Sequence, residues 1–201
     1  MSSNELLGYV YYCKTDSRTR PYSLEVSDMA FLTPAAGRRI LALMADHRSM
    51  ADTVTWWGSP ADPMLELETE KGAEIQDDLA WMLRIVDVKK ALEARGYPLG
   101  VNAEIPIEVF GDTVLPDENN RRWLLQVADG KATVVRNRGK GIVRLHINGL
   151  AALYSGYRSV SDLEQMGLLF WKNRYEDARS DVSQLIRSVF ACPMPWMSDQ
   201  F

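Results

Sequence analysis

The apolar positions of this chain change period several times, and each change marks an element. Leu6 to Tyr12 (LLGYVYY) is dense in aromatic and branched residues and predicts a strand. Polar turn residues, Thr15 to Pro21, separate it from a second strand, Ser23 to Leu32. There Leu24 and Val26 face a core, with Phe31 as a further candidate. The period then lengthens. Thr33 is a capping residue, Pro34 takes the first helical position, and Ile40, Leu43, Met44 and His47 recur on one face, so a helix runs to about Arg48. Thr53 to Gly58 (TVTWWG) predicts a third strand, with one of Trp56 and Trp57 in the core and the other at an interface. After Pro60 and Pro63, Met64 to Leu67 is a candidate fourth strand.

Glu68 to Asp78 is polar and acidic and contains a glycine, which marks a linker. Beyond it, Trp81 to Val86 (WMLRIV) reads as a strand, and Asp87 caps a helix over Val88 to Arg95 that Gly96 closes. Ile105, Ile107 and Val109 alternate, as do Trp123, Leu125 and Val127. Asp129-Gly130 is a two-residue hairpin signal, joining the latter strand to Lys131–Arg136. Ile142 to Ile147 is one more strand. Helices follow: Asn148 caps Gly149–Ser155, Ser161 and Glu164 have capping-box spacing with Gly167 as the stop, and a last helix spans about Asp181 to Phe190. Pro193 and Pro195 keep the tail, CPMPWMSDQF, out of helix. The expected organisation is an α+β unit over 1–67, a linker over 68–80 and a second α+β domain over 81–201.

Composition narrows the function classes. The chain has 201 residues, 46% hydrophobic and 25% charged, which suffices for a sizeable core. A net charge of −4 argues against broad nucleic-acid binding. Arg121, Arg122, Arg136, Arg138 and Lys140 therefore read as solvated loop charge. The two cysteines, Cys13 and Cys192, are too few for a disulfide framework and read as reduced thiols. No apolar run reaches the roughly 20 residues of a membrane helix, and the first residues lack signal-peptide features, so a cytoplasmic protein is expected. With two histidines, His47 and His146, and no partners at ligand spacing, neither a metal site nor a Ser-His-Asp triad is expected.

Five runs carry a resemblance: WMLRIVDVKKALEARGYP, IPIEVFGD, WLLQVADGKATVVR, LHINGLAALYSGYRSVSDLEQMG and the closing PWMSDQF. In this order they resemble the sterol-carrier-like C-terminal domain of the enhanced-intracellular-survival (Eis) type GNAT acetyltransferases. Residues 6–67 resemble the second half of that family's central GNAT-like domain. The resemblance implies a partial GNAT-like sheet-and-helix unit followed by a mostly antiparallel sheet covered by helices. It implies a C-terminal portion of an N-acetyltransferase that moves acetyl from acetyl-CoA to a primary amine, aminoglycosides among the substrates of some members. The partners it implies are a catalytic GNAT domain outside this chain and further copies of the chain, often six, with no nucleic acid or membrane.

In that family the terminal carboxylate reaches the active site as general base, which falls on Phe201. Asp199 and Trp196 beside it are candidate substrate contacts. A free α-carboxyl has a pKa of about 3.5, so unless burial raises it, it would hold a cationic amine or relay a proton through water. Trp196, Met197 and Phe201 make the tail apolar enough to favour docking. The family's phosphate loop, Arg/Gln-x-x-Gly-x-Gly/Ala, falls on Pro34–Arg39, where Gly37 alone fits; a degenerate loop in a non-catalytic copy is expected, with no cofactor site of this chain's own. Two other readings stand beside this one: a module holding an apolar ligand under the second sheet, and an oligomerisation scaffold with no chemistry. Trp81, Trp123 and Leu125 supply enough bulk to fill that core instead.

Overall fold

The computed structural model describes residues 5–15, 21–68, 72–77, 80–139, 141–172 and 179–197. The chain divides into two compact units, Met1–Asp78 with the tail from Trp196, and Leu79–Pro195.

In the first unit, β1 (Gly8–Lys14) runs antiparallel to β2 (Tyr22–Phe31), and β2 runs parallel to β3 (Ala51–Trp56). A parallel pair needs a crossover, and α1 (Pro34–Ala45) supplies it. The helix starts where the sequence places it: the Thr33 hydroxyl accepts from the Ala36 N–H at 3.2 Å, and Pro34 occupies the first turn. A register shift between Tyr11 and Tyr12 changes the side-chain parity along β2. Val26 and, at odd spacing, Met29 and Phe31 can thus all face the small core of Ile40, Met44 and Met64. Trp56 packs on that core and Trp57 is exposed.

Two expectations fail in this unit. Met64–Leu67 is not a strand; Leu65–Leu67 forms one 3-10 turn. Asp62 dictates it, accepting from the Met64 N–H at 2.9 Å and from the Trp56 indole N–H at 3.1 Å. His47 is not on the helix, which ends at Ala45, but in the turn after it.

The second unit is built on a five-stranded sheet of order β6-β5-β4-β7-β8. Its strands are β4 (Ala103–Phe110), β5 (Arg122–Ala128), β6 (Lys131–Arg136), β7 (Val143–His146) and β8 (Leu169–Trp171). Among the described residues of this sheet only β4 and β7 pair in parallel. Buried rows cross the sheet at matching register: Val134, Leu125 and Ile105; Trp123, Ile107 and Val143; Val109, Leu145 and Leu169. All lie on one face, as period-2 alternation requires. Onto this face pack Val88 and Leu92 of α2 (Val88–Ala94), Leu150 and Leu153 of α4 (Ile147–Ser155), Leu163 of α5 (Val160–Gln165), and Ile186 and Val189 of α6 (Arg179–Val189). A one-turn helix, α3 (Pro116–Asn119), sits in the loop before β5. The opposite face of the sheet is mixed, with Phe110, Val135 and Phe170 beside its polar residues, and there Glu108 accepts from Arg122, Arg144 and Lys172 at 3.2, 3.1 and 2.7 Å.

Three further expectations are corrected. Residues 81–86 form no strand: Trp81 is exposed rather than core, Met82 is 99% exposed, and only Ile85 is buried. The segment is held by side chains instead of a ladder. Arg84 donates to Asp112 at 2.7 Å, and Asn119 donates to the Val86 carbonyl while accepting from the Val88 N–H. The capping box is formed by Ser159 and Asp162, two residues earlier than expected, while Ser161 accepts from Arg187 and Glu164 pairs with Arg179. The cap of α4 is His146, whose Nδ1 accepts from the Asn148 N–H at 3.2 Å, and not Asn148. β8 has no forerunner in the sequence reading; three residues are too short for a periodic signal.

Candidate functional site

The tail comes first, because the expected chemistry sits on it. It leaves α6 at Phe190, which is buried, and runs without regular structure through Met197. Trp196 is 51% exposed and Met197 is exposed as well, so along the described part the tail presents its apolar side chains rather than burying them. Asp199 and Phe201 lie outside the described residues.

The start of α1 is the second candidate. The first turn of a helix normally offers several free N–H groups to an anion. Here Pro34 has none, the Ala36 N–H is taken by the Thr33 hydroxyl, and the Gly37 N–H by the Thr33 carbonyl at 3.1 Å. Gly37 is buried, and a Cβ added there would meet Leu67 and, at 3.1 Å, the ring of Phe31. This chain's own side chains therefore occupy the space next to the glycine. Arg38 and Arg39 are exposed on the helix, and Arg39 pairs with Asp46 at 3.8 Å. The residues present do not fit a pyrophosphate held on backbone amides.

His47 reads as a lone histidine in the sequence, and the structure gives it partners. Its Nδ1 lies 2.9 Å from the Tyr22 hydroxyl and its Nε2 3.5 Å from the Tyr12 hydroxyl. Each ring nitrogen thus faces one phenol. The Lys14 ammonium lies 4.8 Å from the centre of the Tyr22 ring. This cluster ties the ends of β1, β2 and α1. Among the described residues no group of three or more His, Cys, Asp or Glu is placed to hold a metal. Cys13 and Cys192 are free and exposed.

For an apolar ligand, the relevant space is under the second sheet. Leu92, Ile105, Leu125, Leu150, Leu163 and Ile186 are fully buried there, and Trp123 closes the same core. A concavity of this unit lies elsewhere. It is an open trough of about 560 Å³ at the β4–β5–β6 end, lined by Glu104, Gln126, Lys131, Thr133 and small alanines. It is open to solvent, unlike an enclosed apolar site.

The most strongly perturbed acid is Asp112, in the β4–α3 loop. Its side chain is fully buried. Burial opposes its charge, but hydrogen bonds from Asn119, the Leu115 and Val114 N–H groups and Arg84 outweigh that, holding the carboxyl well below the usual range. In the sequence Asp112 looks like ordinary loop polarity. The signal that could have found it is the pair Asn119-Asn120, both of which bond to this one residue. Its partners are all internal, which makes it a structural hub.

Comparison with known proteins adds what the geometry alone does not. Residues 88–198 match the sterol carrier protein domain family, and residues 2–85 match an acetyltransferase (GNAT) domain. A GNAT domain is thus present in the chain itself. The chain is 30% identical to an uncharacterised N-acetyltransferase of Streptomyces griseus over 190 residues, covering 92% of this chain and 43% of that protein. Among solved structures, a GCN5-related N-acetyltransferase from Anabaena variabilis superposes with a TM-score of 0.85 at 36% identity, over 98% of this chain and 48% of that one. Eis1 from Mycobacterium abscessus superposes with a TM-score of 0.69 at 26% identity, over 96% and 48%. The chain spans about half the length of the relatives it matches.

Proposed function

From a chain that belongs to the sterol carrier protein domain family and carries a GNAT domain ahead of that domain, we propose a part in N-acetyl transfer from acetyl-CoA to a primary amine. In this reading the chain is the C-terminal portion of a longer GNAT-family enzyme. Its GNAT unit is a partial, non-catalytic copy, and acetyl-CoA is held by a catalytic GNAT domain outside these residues. The chain contributes its terminal carboxylate at Phe201, with Asp199 and Trp196 beside the amine, and a scaffold for a homo-oligomer. The observation that carries this division of labour is the start of α1, where Pro34 lacks an N–H, Thr33 caps Ala36, and Phe31 and Leu67 fill the space beside Gly37.

The chemistry is set by the reactants. A primary amine attacks as the neutral base, its nitrogen bonds to the acetyl carbon, the C–S bond breaks and a thiolate leaves. The amine must lose a proton and the thiolate must gain one. A carboxylate at the chain end suits the first of these transfers, because it holds the ammonium form by charge and passes the proton on through water. A general acid for the thiolate would come from the catalytic domain.

The test is an acetyl-CoA turnover assay with amine substrates in three arms: this chain alone, this chain together with the catalytic domain, and the latter with Phe201 deleted. The expected result is turnover in the second arm alone. Saturable turnover by this chain by itself would overturn the division of labour. Full activity after deletion of Phe201 would overturn the carboxylate's role. A single monomeric peak in size-exclusion chromatography would remove the homo-oligomer.

A further inference from the structure

Arg95 stands just past the end of α2, and its guanidinium spends every nitrogen on backbone carbonyls. Nε donates to Tyr154 at 3.1 Å, Nη1 to Gly96 at 3.0 Å and Val189 at 3.3 Å, and Nη2 to Phe190 at 3.1 Å. Tyr154 lies in the last turn of α4, and Val189 and Phe190 end α6. Helix ends leave such carbonyls without partners inside the helix and gather partial negative charge. One cation serves two of them at once. The guanidinium also lies 5.2 Å from the ring centres of Tyr97 and Phe190 and 5.9 Å from that of Tyr154. Phe190 meets Tyr97 edge to face at 6.3 Å.

The tail begins directly after Phe190, and its first residues are placed by a second contact. Gly156 closes α4 at φ +78°, and a Cβ there would meet the Cys192 sulfur and, at 3.2 Å, the Pro193 carbonyl. The tail therefore leaves α6 along the bare backbone at the end of α4, with Arg95 bonded to both helix ends. Among the described residues no carboxylate pairs with Arg95, so its guanidinium is spent on these carbonyls.

We propose that Arg95 is the positioning residue of the C-terminal tail, fixing the point and direction from which the last residues of the chain depart. Its consequence for catalysis rests on the function proposed above; its control of the tail does not. The tail's first segment is read by nitroxide distances in the full chain, with Cys13→Ser and Cys192→Ser and labels at Met194→Cys and Met166→Cys. A second pair at Glu118→Cys and Lys131→Cys reports on the body of the same unit. Arg95→Met is expected to at least double the width of the 194–166 distance distribution and leave the 118–131 width unchanged. No broadening at 194–166, or equal broadening of both pairs, overturns the proposal. If Arg95→Met does not fold, Arg95→Lys, which keeps the charge but not the fork, is expected to broaden the 194–166 pair alone.

The kinetic arm uses the chain with its catalytic domain. Arg95→Lys is expected to lower kcat about tenfold with KM for acetyl-CoA within twofold, and to have no further effect once Phe201 is deleted. A loss of folded enzyme would persist in the deleted form, and that outcome overturns the positioning role. Deletion of Phe201 without any effect sinks the catalytic reading of the tail and leaves the nitroxide result standing as a statement about Arg95.

Discussion

Single side chains decide most of the local geometry, and two of them make measurable predictions. Asp112 is buried and charged, with Arg84, Asn119 and two N–H groups donating to it. Asp112→Ala would leave these donors without an acceptor, and denaturant unfolding should show a loss of about 3 kcal/mol. Its folded carboxyl is depressed, so it contributes stability above the unfolded value of about 3.9, and that contribution fades as pH falls below it. Between pH 6 and pH 3 the wild type should lose more stability than Asp112→Asn does. Tyr97 behaves in the opposite sense. Burial pushes its phenol up to about 12, and its hydroxyl donates to the Leu92 carbonyl at 2.7 Å. Its neutral form therefore adds stability below about pH 10 that is lost on the way up to pH 12. Tyr97→Phe should cost about 1 kcal/mol at pH 7, seen in thermal unfolding, and should flatten the alkaline limb.

Among the elements, those with local chemistry were legible in the sequence and those held by distant partners were not. Thr33-Pro34 and Asp87 announce their helices, and Asp129-Gly130 announces a hairpin whose two residues both take positive φ, +51° and +76°. WMLRIV has the composition of a strand, yet no strand pairs with it; Arg84 and Asn119, 35 residues apart, fix it instead. The capping box moved to Ser159 because Asp at the third position closes it as Glu would. Arg95 could be read as a cation at a helix end, but its carbonyl partners lie 59 and 95 residues away and no spacing rule reaches them. In the candidate site, Gly37's company of Phe31 and Leu67 was hidden for the same reason, while Pro34 was plain. Gly156 is the element-scale test. Gly156→Ala places a methyl group in the left-handed region and against Cys192, and should cost at least about 1 kcal/mol by urea unfolding, with the Cys192 thiol reacting faster with a disulfide reagent.

At the scale of the molecule, the two units differ in how far each sustains itself. Among the described residues the first has three strands, one α-helix and a small core cluster of Val26, Ile40, Met44 and Met64. The second has five strands and a continuous core on one sheet face. Small units bury a smaller share of their surface, so hydrogen exchange should be faster in β2 and α1 than in β4 and β5. Titration of acetyl-CoA into this chain alone should give no saturable heat at millimolar concentration, given the start of α1. The parallel pairing of β4 with β7 has an outcome in time as well as in space. β4 can meet its antiparallel neighbour β5 once residues 111–128 are made, but its other edge waits for residues 143–146 to emerge from the ribosome. A nascent chain that has released residues up to 136 can close the β4–β5–β6 meander while Ile107 and Val109 still lack Val143 and Leu145. Such an open edge can pair wrongly with a neighbouring copy, so a pause in translation before Val143 should lower the yield of native protein.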